Sequence, residues 1–267
     1  MFKTLQRYGG IYAALWRNSV IREMGFKSNF ILWIFVEMLW FVMQIGFIAV
    51  IYQHTDRIAT WTKWEVVLLV GISHLVQQLF TAFFFTNLTQ LSDLIRTGKL
   101  DFMLLLPVNS RFLVSFRQVD LGGFVNAASA FAVILYSIRQ LHVVPGLVQW
   151  FTFPIFAIAA VVIHYSLMLI LASTSFFTVR AQGIVWGYYN LFNISRLPDA
   201  VFRGFFKVFF TFAIPMLLVA NVPAKLLLQR LSSPREAFFL FIMAAGCLVL
   251  SEFVWRYSLK HYTSASS

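Results

Sequence analysis

The sequence has few charged residues and almost no cysteine. Charged side chains make up 12% of its 267 residues, and Cys247 is its single cysteine. Soluble domains carry about 25% charged residues. This chain is instead 60% hydrophobic, with 31 Phe and a mean hydropathy of +0.78. These values exclude a soluble domain and predict an all-α, polytopic membrane protein. One cysteine also excludes an intrachain disulfide and leaves the redox compartment open.

The sequence also lacks the short motifs that accompany common chemistry. It contains no GxxxxGK[ST] phosphate loop, no HExxH and no GxSxG, and its apolar runs hold no paired Asp or multiple His at ligand spacing. We therefore predict no catalytic residue, no metal site and no cofactor bound by this chain. The net charge of +11 does not indicate nucleic-acid binding, because the basic residues stand at the ends of apolar runs.

Long apolar runs predict the membrane spans. A helix needs about 20 apolar residues to cross a hydrocarbon core about 30 Å thick. Five runs qualify without ambiguity: 30–52, 66–85, 119–138, 150–171 and 237–257. The basic and aromatic residues of 1–29 predict a helix that lies in the cytoplasmic headgroup layer, against anionic lipid.

The region from Ser173 to Arg235 allows two topologies. In the first, Val208 to Val222 is the fifth span. In the second, 179–197 is the fifth span and the proline-rich stretch 198–235 folds back within the outer leaflet. The distribution of Lys and Arg obeys the positive-inside tendency in both, more clearly in the first. Both place the two termini and 91–111 in the cytoplasm.

Polar residues within the predicted spans are candidates for a solute pathway or for helix interfaces. A carboxylate or amide facing lipid is costly, so such side chains should face protein or water. Glu37 suits either a cationic solute or a hydrogen-bonded helix interface, and the spacing of His74 to Thr81 places four polar residues on one helical stripe. The candidates are Glu37, Gln44, His74, Gln77, Gln78, Thr81 and Asn126. Gly183 and Gly187 have the GxxxG spacing typical of close helix packing.

The segment 91–111 is the most polar stretch between two apolar runs. Its first half alternates charged and apolar residues in a pattern typical of a short amphipathic helix, broken at Gly98, and its second half is an apolar run that ends at Pro107. Such a segment is too polar to cross a bilayer and too apolar for a free loop. It therefore predicts a docking element.

The residues of this segment carry a resemblance to a known family. The string IRTGKLD at 95–101, followed by Leu104, Leu105, Leu106, Pro107 and Val108, resembles the cytoplasmic signature of ABC-2 type exporter permeases. Phe212 to Pro215 and then Val222 to Ala224 resemble the second-half pattern of the same family. Leu106 departs from the pattern, since such permeases often carry Arg there. The likeness extends over nearly the whole chain.

The resemblance implies an architecture and a mechanism. It implies six transmembrane helices, an N-terminal interfacial helix, a cytoplasmic coupling helix and a re-entrant outer-leaflet hairpin before the last span, which favours the second topology. It also implies that a separate ABC ATPase binds ATP and Mg and drives alternating access in a bacterial plasma membrane. The residues that it assigns to ATPase coupling are Leu94, Ile95, Arg96, Gly98, Leu100, Asp101, Leu104 and Pro107.

The partners and the solute follow from the same resemblance. We expect a second permease subunit, with a heterodimer favoured over a homodimer, and contact with membrane lipids. The aromatic content suggests an amphipathic, lipid-like or drug-like solute. The alternative is a scaffold or sensor that transports nothing and couples the ATPase to signalling or to extraction of lipid or protein from the membrane.

Overall fold

The computed structural model describes residues 2–178, 181–231 and 233–263. Over these residues the chain is helical or irregular, apart from an isolated bridge between Ile58 and Trp61. The prediction of an all-α polytopic membrane protein is confirmed. The helices are α1 (Phe2–Gly25), α2 (Lys27–Ile51), α3 (Lys63–Phe80), α4 (Thr86–Thr89), α5 (Leu91–Arg96), α6 (Lys99–Leu104), α7 (Ser110–Phe116), α8 (Leu121–Gln140), α9 (Leu147–Ser173), α10 (Ala181–Leu191), α11 (Gly204–Val208), α12 (Met216–Leu227) and α13 (Pro234–Lys260).

Short irregular helices extend several of these elements. Thr81–Phe85 and Phe209–Ala213 are π-helical turns, and Thr174–Phe176, Phe192–Arg196 and Asp199–Val201 are 3-10 helices. The first π-helical turn joins α3 to α4, so that a nearly continuous helix runs from Lys63 to Arg96.

Five helical stretches are long and apolar enough to cross a membrane. They are Lys27–Ile51, Lys63–Arg96, Leu121–Gln140, Leu147–Phe176 and Pro234–Lys260, and each contains or overlaps one of the five unambiguous apolar runs. A sixth candidate is a pair of helical segments, Gly204–Ala213 and Met216–Leu227, which are bent by 85° at the break between them.

Helix α3 is the centre of the bundle. Nearly all of its side chains are buried, and it packs against α2, α8, α9 and α12. Gly123 of α8 packs tightly against the π-helical turn that follows α3, where an added Cβ would lie 2.9 Å from the backbone of Ala82. A glycine is needed there because any side chain would collide with main-chain atoms.

Helix α2 lies at the outside of the bundle. Phe41 and Ile48 are its buried residues, whereas Trp33, Trp40 and Phe47 are 58%, 60% and 69% exposed. A helix with large apolar side chains on its outer face is stable in hydrocarbon rather than in water. We conclude that this outer face of α2 contacts lipid.

Helices α9 and α13 run parallel to each other. Near their beginnings Phe156 contacts Phe241, with ring centroids 5.2 Å apart, and beyond the end of α9 Phe176 contacts Trp255 at 5.5 Å. The chain between them must therefore return from one end of the bundle to the other. Helix α10 and the 3-10 helix Phe192–Arg196 belong to this part of the chain, and together they extend about 26 Å at standard rises of about 1.5 and 2 Å per residue.

The two sequence-based topologies differ in this region. The predicted fifth span 179–197 begins with two residues that lie outside the described part of the chain, and its remainder corresponds to α10 and the 3-10 helix. Its assignment as a span stays a prediction. The competing stretch, Val208 to Val222, contains the 85° bend near Pro215.

The ends of the segment that contains α11 and α12 meet each other. Lys225 donates to Asp199 at 2.7 Å and approaches Glu236, at the start of α13, at 3.5 Å. Asn221 accepts from the backbone N–H of Asp199 at 2.9 Å and donates to the carbonyl of Leu197 at 3.1 Å. These contacts place the beginning and the end of the segment at the same level of the bundle.

Candidate functional site

The polar stripe of α3 faces α2 in the interior of the bundle. His74, Gln77 and Gln78 are 3%, 5% and 2% exposed. The side-chain amide of Gln78 donates to Glu37 on α2 at 3.3 Å. The ring of His74 stacks on Phe41, with centroids 3.9 Å apart, and neither of its nitrogens has a hydrogen-bond partner within the described residues.

Helix α10 and the 3-10 helix Phe192–Arg196 supply two further polar side chains to this interior. The guanidinium of Arg196 donates to the side-chain oxygen of Gln77 at 2.5 Å, and the hydroxyl of Tyr189 lies 3.5 Å from that of Thr81. Sequence reasoning missed both residues as site candidates. The signal that could have found Arg196 is a charged residue within a predicted span, which is a functional candidate by default. We name this set the polar interior: Glu37, His74, Gln77, Gln78, Thr81, Tyr189 and Arg196.

Two predicted pathway residues lie outside these hydrogen bonds. Gln44 is on α2, and Asn126 is 3% exposed on α8. The side-chain oxygen of each is buried and unpartnered among the described residues. Among residues 2–178, 181–231 and 233–263, no group of three His, Cys, Asp or Glu is arranged to hold a metal ion.

The two glycines of the GxxxG spacing face open space. A Cβ added at Gly183 or Gly187 would meet no atom of the chain within 4 Å. Neither glycine therefore takes part in a close helix contact among the described residues of this chain. Their predicted role in packing stays a prediction and would apply to a neighbouring subunit.

The segment 91–111 folds as two short helices joined by a tight turn. Gly98, between α5 and α6, has a φ of +68°, the left-handed region that favours glycine. Leu94 and Leu100, assigned by resemblance to partner contact, are 6% and 0% exposed and pack in the core of the chain itself. They hold the turn against the bundle rather than point away from it.

Other apolar side chains of this segment point outward. Phe102 is 73% exposed and Leu105 is 81% exposed, with Leu104 and Leu106 at 38% and 50%. We name Phe102, Leu104, Leu105 and Leu106 the apolar tip. Of the predicted coupling residues, Leu104 belongs to this tip. Sequence periodicity found one face of the segment, but it does not show which face the bundle covers.

The remaining predicted coupling residues lie around the apolar tip. Ile95 is partly buried, and Arg96 pairs with Asp93 at 3.2 Å on an exposed surface, where such pairs contribute little stability. Asp101 accepts from the hydroxyl of Tyr262 at 2.8 Å. Burial and then this contact with Asp101 raise the pKa of Tyr262 to about 12.

Helix α1 braces the other side of the apolar tip and the start of α8. Arg7 donates to the carbonyl of Pro107 at 2.7 Å, and the hydroxyl of Tyr8 accepts from the backbone N–H of Asn109 at 3.1 Å. Farther along, Glu23 accepts from the backbone N–H of Leu121 at 3.1 Å. Burial raises the pKa of Glu23 above its ordinary value.

Arg111 connects the residues after the apolar tip to two long helices. Its guanidinium donates to the hydroxyl of Tyr165 on α9 at 3.0 Å and to that of Ser251 on α13 at 3.2 Å, and it forms an ion pair with Glu252. The hydroxyl groups of Ser115 and Tyr165 also share a hydrogen bond of 2.8 Å. No local sequence pattern predicts these contacts of Arg111, since its partners lie 54 to 141 positions away.

A bundle of long apolar helices with a bent helix pair defines a multi-pass membrane protein. The chain belongs to a known family of this class. The family model described as ABC-2 family transporter protein matches residues 38–266. Neither a curated protein nor a solved structure matches the chain. This family is one of membrane subunits that are not themselves the ATPase, and it implies an ABC ATPase as a partner.

Proposed function

We propose that the chain is the permease subunit of an ATP-driven exporter and that a separate ABC ATPase docks on the apolar tip. The observation that carries this proposal is the exposure of Phe102 and Leu105, at 73% and 81%, on a segment that also carries Arg96, Lys99 and Asp101. A contiguous apolar patch rimmed by polar residues marks a protein contact site. ATP and Mg are bound by the partner, because this chain has no phosphate loop of its own.

The contacts of the apolar tip suit a coupling role. Leu94 and Leu100 fix its base in the core, while Tyr262, Arg7 and Arg111 connect its surroundings to both ends of the chain. A tip fastened at so many points moves together with the helices that hold it. Closure of the ATPase pair on ATP would thereby shift the bundle between inward-facing and outward-facing states. The shift is driven by the different affinities of the complex for nucleotide in these two states.

The proposed topology places the apolar tip and both termini in the cytoplasm of a bacterial cell, with the chain in the plasma membrane. The contacts of Asp199 with Lys225 support a hairpin over 198–235 that enters and leaves at the outer side. Residue 232, near its end, lies outside the described part of the chain. The proposed complex contains a second permease subunit, related rather than identical, and moves an amphipathic, lipid-like or drug-like solute from the cytoplasm or inner leaflet.

Co-purification of this chain with an ABC ATPase from the same cell tests the proposal. Leu105→Asp places a carboxylate in the apolar tip without disturbing the core, since Leu105 is exposed. The matched control is Val144→Asp, because Val144 is 84% exposed in the connection between α8 and α9 at the opposite end of the bundle. We expect wild type and Val144→Asp to retain the ATPase, and Leu105→Asp to bind it about tenfold more weakly, as expected for a contact worth about 1.4 kcal/mol.

Two results would contradict parts of this proposal. Equal retention by all three forms would place the ATPase contact elsewhere. An ATPase that binds the apolar tip and hydrolyses ATP, but moves no solute in reconstituted vesicles, would favour the scaffold or sensor alternative.

A further inference from the structure

A cavity of ≈330 Å³ opens on the outer side of the polar interior. It lies between α2, the beginning of α3 and the end of the 3-10 helix that carries Arg196. Its walls are mostly apolar and include Met43, Phe47, Val66 and Val70. Met43 and Phe47 are 59% and 69% exposed on the lipid-facing side of α2, so the cavity is open towards hydrocarbon. Its volume is in the range of small-molecule sites.

Two polar side chains line this apolar cavity, and both have an unpaired buried atom. The side-chain oxygen of Gln44 and the Nε atom of Arg196 are buried, and neither has a hydrogen-bond partner within the described residues. Buried polar groups in proteins are nearly always paired. Two lining residues that each keep an unpaired buried polar atom therefore point to a ligand that brings a polar group of its own.

The charge of Arg196 selects the chemistry of that group. No carboxylate in the described part of the chain lies within 4.0 Å of Arg196. The carboxylate of Glu37 interacts with Arg196 electrostatically but without direct contact, and it accepts a hydrogen bond from Gln78. A guanidinium has five N–H donors in a planar fork, which matches the oxygens of a carboxylate or phosphate. The amide of Gln44 presents either its carbonyl or, turned by 180°, its NH2 group.

We propose that this cavity binds an amphiphile with one acidic end group, a carboxylate or phosphate, and that this amphiphile is the cargo of the exporter proposed above. The acidic group contacts Arg196 and Gln44, and the hydrocarbon chain lies along Met43, Phe47 and Val70. An isolated negative charge at this depth of a bilayer would be unfavourable. The guanidinium of Arg196 offsets that cost. The part of the inference that makes this ligand the cargo rests on the proposed function.

Binding is tested on the full-length chain in non-ionic detergent at alkaline pH, without the ATPase. The probes are oleate, oleoyl lysophosphatidate and oleyl alcohol, of which the last has the same chain without an acid. We expect native mass spectrometry to show at least one acid retained about tenfold more strongly than oleyl alcohol, the ratio that corresponds to one charge-assisted hydrogen bond. Equal retention of all three probes would overturn the proposal.

Variants locate the site. Arg196→Gln removes the charge and should lower the preference for the acid about tenfold, whereas the matched control Arg203→Gln, at an exposed position, should leave it unchanged. Gln44→Leu provides a second test that is independent of Arg196. Because the side-chain oxygen of Gln44 has no partner in the chain, this variant should fold like wild type and lose part of the preference. Equal losses in Arg196→Gln and Arg203→Gln would place binding elsewhere.

Transport separates a cargo site from a lipid-binding site. In vesicles with the complete complex, Arg196→Gln should abolish ATP-dependent movement of the preferred acid while the ATPase still co-purifies. If the acid binds through Arg196 but moves equally well in the variant, its role as cargo is overturned. Binding is measured without the ATPase, and ATPase docking is measured without the amphiphile. Failure of this inference is therefore distinguishable from failure of the exporter proposal.

Discussion

The guanidinium of Arg111 on α7 forms an ion pair with the carboxylate of Glu252 on α13, 141 positions later in the chain. The two side chains are 15% and 31% exposed, so the pair is largely screened from water. Because α7 follows the apolar tip directly, this pair fastens the proposed coupling segment to the last long helix.

Replacing Arg111 should weaken both the fold and the coupling. Arg111→Gln leaves Glu252 without its partly buried partner, and we expect the free energy of unfolding to fall by about 1–3 kcal/mol. ATP-driven transport should fall further, because the helices no longer follow the tip, while the ATPase still co-purifies. Thermal unfolding in detergent and transport in vesicles measure the two effects.

The same carboxylate offers a matched control for that variant. Arg256 also pairs with Glu252, but its side chain is 73% exposed. Exposed pairs at this helical spacing contribute about 0.3–0.5 kcal/mol. Arg256→Gln should therefore change stability and transport little, and a loss equal to that of Arg111→Gln would contradict the role given to Arg111.

The hydrogen bond between Tyr262 and Asp101 ties the end of α13 to the turn at Gly98. Tyr262→Phe removes this bond, and we expect faster hydrogen exchange at 97–104 with little change elsewhere. Because the pKa of Tyr262 is raised to about 12, the stabilisation by its protonated hydroxyl is fully present below pH 10 and is lost as the pH rises through about 12. The difference between wild type and variant should thus be constant from pH 6 to pH 9. A difference that disappears within that range would contradict this assignment.

Glycines in helices allow a direct comparison of close contact with open space. Gly123→Ala would place a Cβ 2.9 Å from the backbone of Ala82, and we expect the crossing of α8 and α3 to lose about 1–3 kcal/mol of stability. Gly183→Ala meets no atom within 4 Å and should raise helix stability by about 0.5–1 kcal/mol in the isolated subunit. Unfolding of the purified monomers measures both changes, and a Gly123→Ala variant as stable as wild type would show that α8 can shift. If Gly183→Ala loses subunit association and Gly123→Ala does not, packing of α10 against a second permease would be supported.

Glu23 joins α1 to the first turn of α8 through an acceptor that does not need to be charged. Burial raises the pKa of Glu23 in the folded protein. The protonated carboxyl group therefore stabilises the fold below pH 4.5, its ordinary pKa, and this stabilisation is lost as the pH rises through the pKa of the folded protein. Glu23→Gln keeps an acceptor for the N–H of Leu121, and its thermal stability at pH 7 should equal or slightly exceed that of wild type. Glu23→Leu leaves that N–H unpaired and should cost about 1 kcal/mol. Equal losses in both variants would show that the charge itself is needed.

Hydropathy located most of the long helices because each is a run long enough to cross a bilayer by itself. The predicted run 150–171 lies within α9, for example, and 237–257 lies within α13. The segment after α9 was harder because α10 has 11 residues, too few to stand out as a span, and because its continuation is a 3-10 helix. The ion pair between Asp199 and Lys225 forms only in the tertiary structure, and no local sequence pattern predicts it.

The polar interior was predictable in part. The spacing of His74, Gln77 and Gln78 identified a single helical face, and the cost of polar groups in lipid pointed that face inward. Arg196 and its contact with Gln77 could not be inferred, since the two residues are 119 positions apart. The apolar tip shows the same limit, because periodicity groups residues by face and leaves open which face the bundle covers.

The ion pair between Arg111 and Glu252 also sets an order of events during synthesis. At about 5–20 residues per second, the ribosome adds Glu252 roughly 7–28 s after Arg111. Until then the guanidinium of Arg111 cannot pair with Glu252, and the proposed coupling segment lacks its contacts with α13 and Tyr262. A chain that stops before α13 therefore exposes an unpaired charge and a loose docking segment, which would direct truncated products to degradation before an ATPase is recruited.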